Sequence, residues 1–100
     1  MRRAAKVDGN QADIVAGLRS IGATVQPLHA VGQGCPDIVA GYKGANYMIE
    51  IKDGRRPPSE TRLTPDQEKW HGEWRGQVAV AKSLDDALVI IGANHVIADR

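Results

Sequence analysis

The chain contains no phenylalanine, and tryptophan and tyrosine together make up only 4% of its 100 residues. With so few large aromatic side chains the core must be small and aliphatic, and a domain of that kind gains from a partner subunit. Cysteine occurs once, at Cys35, which excludes an internal disulfide framework. A lone thiol suits a reducing compartment, so a cytoplasmic location is expected. No apolar run approaches the ~18 residues of a membrane span. The basic start with Arg2, Arg3 and Lys6 has no apolar stretch behind it and does not read as a secretory signal. Charge of one sign is lacking too. The formal net charge is +1, which excludes a strongly basic coat for indiscriminate nucleic-acid binding but not a local basic patch.

What is present has a globular balance, with 42% hydrophobic and 25% charged residues. Neither disorder nor a collagen-like repeat fits that balance, and the length bounds the chain to one domain over 1–100. Ala12, Ile14, Val15, Leu18 and Ile21 recur at helical spacing and predict a helix over 8–21. Asp8 or Asn10 can cap its start, and Gly22 ends it. Residues 23–29 read as a weak strand, with Pro27 arguing for a sheet edge. Residues 37–42 and 47–52 are β-like, and the segment 43–46 between them has hairpin-turn chemistry. The charged stretch 53–62, with Pro57 and Pro58, reads as a loop. Thr64-Pro65-Asp66-Gln67 opens a second helix as N-cap, first-turn proline and capping box, and Gly76 stops it. Residues 77–81 form a short strand. Ser83 and Asp86 cap a last helix over 84–91, ended by Gly92, and Val96 and Ile97 in the tail suit a further strand or a dimer contact. The order αβββαβα describes an α/β domain whose mixed sheet is flanked by helices.

The chemistry lies in the two middle strands. Alternation puts Met48, Glu50 and Lys52 on one face and Tyr47, Ile49 and Ile51 on the other. If Gly44-Ala45 forms the turn, Val39 faces Glu50 and Asp37 faces Lys52. Asp37 and Glu50 are then diagonal neighbours, ~5–8 Å apart at Cβ, at the open end of one hairpin. Two carboxylates suit a hard cation such as Mg²⁺, which keeps positions open for water and a phosphate oxygen. Lys52 on the same face is placed to position a water or to stabilise charge developing on a phosphate. As a bare string, Pro-Asp with a later Glu-x-Lys is weak, because Pro-Asp is a common turn and Glu-x-Lys a common surface ion pair. Context strengthens it: Asp37 opens one apolar strand, Glu50 interrupts another, and a turn of suitable length joins them.

Pro36-Asp37 followed by Glu50-Ile51-Lys52 resembles the PD-(D/E)XK nuclease signature. Together with residues 32–41 before it and 63–67 after it, the pattern is similar to the VRR-NUC (virus-type replication-repair nuclease) group, and the likeness spans roughly residues 8–92. The resemblance implies a restriction-endonuclease-like core and a Mg²⁺- or Mn²⁺-dependent endonuclease acting on DNA. Asp37 and Glu50 match the metal-binding acids, the Ile51 backbone carbonyl a further ligand, and Lys52 the catalytic lysine. Gln11 stands where related Holliday-junction resolvases have a Glu near the metal; an exposed helix position is its plain alternative. Gln67 matches a polar residue that orients the lysine or a phosphate, with the capping box an equal explanation. Similar stand-alone proteins, phage-encoded ones included, are homodimers that cut branched DNA, and a twofold dimer supplies the paired cuts that resolving a junction in DNA repair requires. A catalytically silent DNA-binding or assembly module on the same scaffold is the alternative.

Among the remaining residues, Arg55, Arg56 and Arg62 follow the catalytic strand and are expected to meet DNA, whereas Arg2, Arg3 and Lys6 are as readily solvated charge. Gly34 would let backbone approach a phosphate, with loop flexibility an equal explanation. Trp70 and Trp74 are expected in a core or interface stripe rather than stacked on a base. His29, His71 and His95 lack metal-site spacing, and Cys35 lacks the partners of a nucleophile.

Overall fold

The computed structural model describes residues 8–95. The elements run α1 (Gln11–Ser20), β1 (Thr24–Pro27), β2 (Ile38–Tyr42), β3 (Ala45–Ile51), α2 (Pro58–Thr61), α3 (Pro65–Glu73), β4 (Val78–Ala81) and α4 (Leu84–Ile90). One element departs from the expected order: part of the 53–62 loop closes into the short α2, with Pro58 in its first turn, a position where proline is pre-shaped for helix. The four strands form one sheet in the order β1-β2-β3-β4. The first two pairings are antiparallel and β3 with β4 is parallel, so the sheet is mixed. Among the described residues no helix is long and apolar enough to cross a membrane.

The core lies on one face of the sheet. Ile38, Ala40, Ile49, Ile51 and Ala81 point to it and are fully buried against Ile14 and Leu18 of α1 and Ala87 and Leu88 of α4. Helical periodicity explains the α1 contribution, because Gln11, Ile14, Val15 and Leu18 form one stripe while Ala12 is exposed. Leu84 of α4 lies so close to Gly17 that a Cβ there would collide with it, so a glycine lets the two helices approach. Gly22 and Gly92 take the left-handed conformation just after α1 and α4. On the opposite face Val39, Met48, Val78 and Val80 are only half-buried.

The hairpin register differs from the expected one by two residues. Lys43 and Gly44 take φ +50° and +83°, and Tyr42 pairs with Ala45. A two-residue turn with both central residues at positive φ matches the right-handed strand twist, and glycine holds its second place at no steric cost. The turn is therefore Lys43-Gly44 rather than Gly44-Ala45. A two-residue slip keeps each side chain on its face. It changes the partners: Ile38 pairs with Ile49, and one further step sets Asp37 opposite Glu50 rather than Lys52.

Leu18 has no exposed surface and sits at the centre of this one-sided core. Leu18→Ala is expected to lower stability by about 2–5 kcal/mol, read as a reduced urea midpoint at unchanged slope.

Candidate active site

The open end of the hairpin forms one wall of a cleft of ≈ 370 Å³ whose lining includes Asp37, Glu50, Lys52 and Gln67. Asp37 lies just ahead of β2, and its Oδ2 accepts a 2.7 Å hydrogen bond from the Ile51 backbone N–H. That bond crosses from one strand to its neighbour and fixes the carboxylate at the strand end. Glu50 is 2% exposed. Its Oε2 accepts from Gln67 Nε2 at 3.1 Å and lies 3.8 Å from Lys52 Nζ, while its Oε1 is buried with no hydrogen-bond partner. Lys52 Nζ donates to Gln67 Oε1 at 2.9 Å.

Gln67 is the junction of the site. Its Oε1 also accepts from the Thr64 backbone N–H at 2.9 Å, and its own N–H donates to Thr64 Oγ1 at 3.3 Å. The capping box that starts α3 therefore holds the same side chain that bridges Lys52 and Glu50. Both roles considered for Gln67 coexist, because an amide has an oxygen that takes two donors and a nitrogen with protons of its own.

The electrostatics follow from the crowding. Burial pushes the Glu50 carboxyl up to about 9; the facing Asp37 carboxylate, placed to share a proton with it, adds to the rise and Lys52 opposes it. Asp8, just before α1, lines the same cleft, and its carboxyl is raised by burial, lowered by Lys52 and raised again by Asp37. The Cys35 thiol is raised by burial and then by Glu50 and Asp37, which keeps it protonated and unlike an activated nucleophile. His71 is lowered by burial and by Lys52.

Other residues singled out in the sequence stand elsewhere. Gln11 is buried, not exposed, with an unpartnered Oε1, and it is not part of the cleft lining. The Asn10 side chain makes no cap; its Nδ2 donates to the carbonyls of Lys52 and Lys82, tying the start of α1 to the ends of β3 and β4. Gly34 lines the cleft, but a Cβ there would overlap the Asp66 carbonyl and its φ is +83°, so its lack of a side chain serves close packing on α3. The Arg55 guanidinium is held by Asp53 through bonds of 2.9 and 2.7 Å, which brings the Asp53 carboxyl down to about 2. Arg56 pairs with Glu60 at 3.7 Å, and Arg62 is exposed without an ion pair among the described residues. Trp70 and Trp74 are not in the core: α3 buries no residue, and the two rings stack on each other. Arg2, Arg3, Lys6, Val96 and Ile97 lie outside the described residues.

Sequence reasoning missed Asp8 and His29 as cleft residues. In the sequence Asp8 reads only as a helix cap and His29 as the end of a weak strand without metal-site spacing; no spacing signal links either to Asp37, because chain folding alone brings them there.

No family model matches the sequence, and no curated protein matches it. A solved structure described as a VRR_NUC domain is similar, with a TM-score of 0.59 and 25% identity over 79% of this chain and 88% of that one.

Without a cation, the raised Glu50 carboxyl makes stability pH-dependent in a defined direction. The unfolded chain releases this proton near pH 4.5 and the folded chain near pH 9. The native state binds the extra proton between those values, so this group's contribution to stability declines as pH rises from about 5 to 9. In chelator, Glu50→Gln is expected to flatten that decline, measured as melting temperature against pH.

Proposed function

Because the chain has the VRR-NUC fold, that of a nuclease-family domain, we propose that it is a Mg²⁺- or Mn²⁺-dependent endonuclease hydrolysing phosphodiesters in branched DNA. The observation that carries the reading is the placement of Asp37, Glu50 and Lys52 at one hairpin end, joined by Gln67. A hard cation fits the donors present. Among the described residues no group of three His, Cys, Asp or Glu side chains is suited to a metal, so the set is two carboxylates with the Ile51 carbonyl and water, which is what Mg²⁺ accepts. The buried, unpartnered Glu50 Oε1 and the repulsion between the carboxylates are what a divalent charge relieves.

When bound, the ion lowers the pKa of water and neutralises charge on the phosphate. Asp37 and Glu50 would hold it. Asp37 is pre-aimed by the Ile51 N–H, so little reorganisation is needed. The Lys52 ammonium orients the attacking water and stabilises negative charge on the non-bridging phosphate oxygens as the water adds in line and the P–O bond to the leaving alcohol breaks. Gln67 positions Lys52 by accepting a hydrogen bond from one of its N–H groups, leaving the other two to donate to water and phosphate. Arg56 and Arg62, exposed on the segment after β3, meet the phosphate backbone, with Arg55 more constrained by Asp53. A homodimer is the proposed working form; the small aliphatic core and the exposed Val89 on α4 support it.

Purified protein with Mg²⁺ should cut a four-way junction or a flap, and Asp37→Ala or Lys52→Ala should reduce the rate by at least ~100-fold. Equal cutting by wild type and Lys52→Ala, or none on any branched substrate, would sink the assignment. A divalent-metal rise in melting temperature that vanishes in Asp37→Ala separates an intact metal site from a silent binding module. Gln67→Ala should reduce kcat more than it raises KM, because it acts through Lys52.

A further inference from the structure

Half of the four aromatic residues of this chain stand on α3, outside the core. Trp70 and Trp74 are stacked, with centroids 4.6 Å apart and planes inclined by 19°. Trp74 is 45% exposed. An exposed tryptophan stacked on a half-buried one, in a chain so poor in aromatics, calls for an explanation that core packing does not supply. The rings are also held in place. Trp70 meets His71 edge-on, and the Trp74 ring lies so near Gly76 that a Cβ there would touch it.

Trp70 lines a groove of ≈ 370 Å³ with Gln33, Asp66, Lys69 and Glu73. Gln33 and Asp66 also line the cleft that holds Asp37 and Glu50. The groove and the cleft therefore share a wall. Trp70 follows Gln67 by one turn of α3, about 5 Å along the helix from the residue that holds Lys52, and Trp74 caps the end of the helix with its ring centroid 4.6 Å from that of Trp70. Together these distances span about one to three nucleotides of a strand.

We propose that the Trp70–Trp74 pair is a stacking platform for an unpaired nucleobase of the strand entering the cleft, making single-stranded DNA beside a branch point part of the recognised substrate. The inference rests on the nuclease reading above and extends it. Charge favours a base over a phosphate as the contact. Asp66, Glu68 and Glu73 outnumber Lys69 and Arg75 along residues 65–75, so this segment offers the backbone no net attraction while the aromatic faces accept any base. Phosphate contacts then fall to the exposed arginines of the segment after β3.

Both tryptophans of the chain are in the platform, so their fluorescence reports on it alone. In chelator, where no cutting occurs, a single-stranded oligothymidylate of about ten nucleotides should quench the emission, and a blunt duplex of equal length should quench it less. Trp74→Ala should weaken binding of the single strand by about 5- to 100-fold, the loss expected for one stacked base, and Trp74→Phe should restore most of it. Circular dichroism checks that the variant is folded; because α3 buries nothing, Trp70→Phe serves as a second variant if it is not. Absence of quenching, or wild-type affinity in a folded Trp74→Ala, overturns the proposal. So does a shift to smaller species on sedimentation of Trp74→Ala with binding unchanged, which assigns the rings to contact between two copies. Quenching without cleavage of any branched DNA keeps the platform and sinks the nuclease reading. Cleavage with single-strand binding indifferent to Trp74 does the reverse.

Discussion

Two carboxyl groups face each other across neighbouring strands at the end of the hairpin, and one of them is almost wholly removed from water. Asp37 is anchored by a backbone N–H of the adjacent strand, so it cannot swing away. Glu50 is enclosed with one oxygen unpartnered. Without a counter-charge the pair is relieved only by retaining a proton, which is why burial and Asp37 together move Glu50 so far from its ordinary range. The rest of the cleft is arranged around this conflict. Lys52 supplies one positive charge, too distant at 3.8 Å for a tight bond, and Gln67 fixes both side chains by its amide. Such an enclosed carboxyl pair is destabilising in isolation.

The scaffold makes the conflict tolerable by keeping it away from the core. All the fully buried aliphatic residues of the sheet lie on the face that packs on α1 and α4. The opposite face is left half-open, and there the polar residues stand beside the N-terminus of α3. Asn10 ties α1 to the strand ends with two hydrogen bonds, so the cleft and the core share one rigid edge. The Lys43-Gly44 turn sets the register that brings Asp37 opposite Glu50.

One helix then carries several tasks. The first turn of α3 caps itself and holds Lys52 and Glu50 through a single glutamine, while its later turns hold two stacked tryptophans away from the core. The similarity in structure to a VRR_NUC domain, where no family model matches the sequence, has a physical reason. The shared part is a backbone arrangement, and the aliphatic residues of a small core can be exchanged while volume and pattern are kept.

Much was legible in the chain because it depends on local geometry. The amphipathic stripe of α1, the Thr64-to-Gln67 capping box, the Ser83 cap and the strand alternation that puts Glu50 and Lys52 on one face are set by residues a few positions apart. Local patterns left α2 unseen and misplaced the turn by one residue, because neighbouring segments of similar propensity compete and pairing with other strands decides between them. The surroundings of the site lay further out of reach. That Gln11 is buried, that Asp8 and His29 line the cleft, that Asp53 holds Arg55, and that the tryptophans stand outside the core are decisions of tertiary structure. Each depends on segments distant in the chain meeting in space, and burial and electrostatic fields exist only once they have met. By itself the sequence determined that Asp37, Glu50 and Lys52 share one face at one end of the hairpin; only the folded chain decided that the two carboxyl groups would be enclosed opposite each other, because desolvation is a property of the packed molecule and not of any stretch of it.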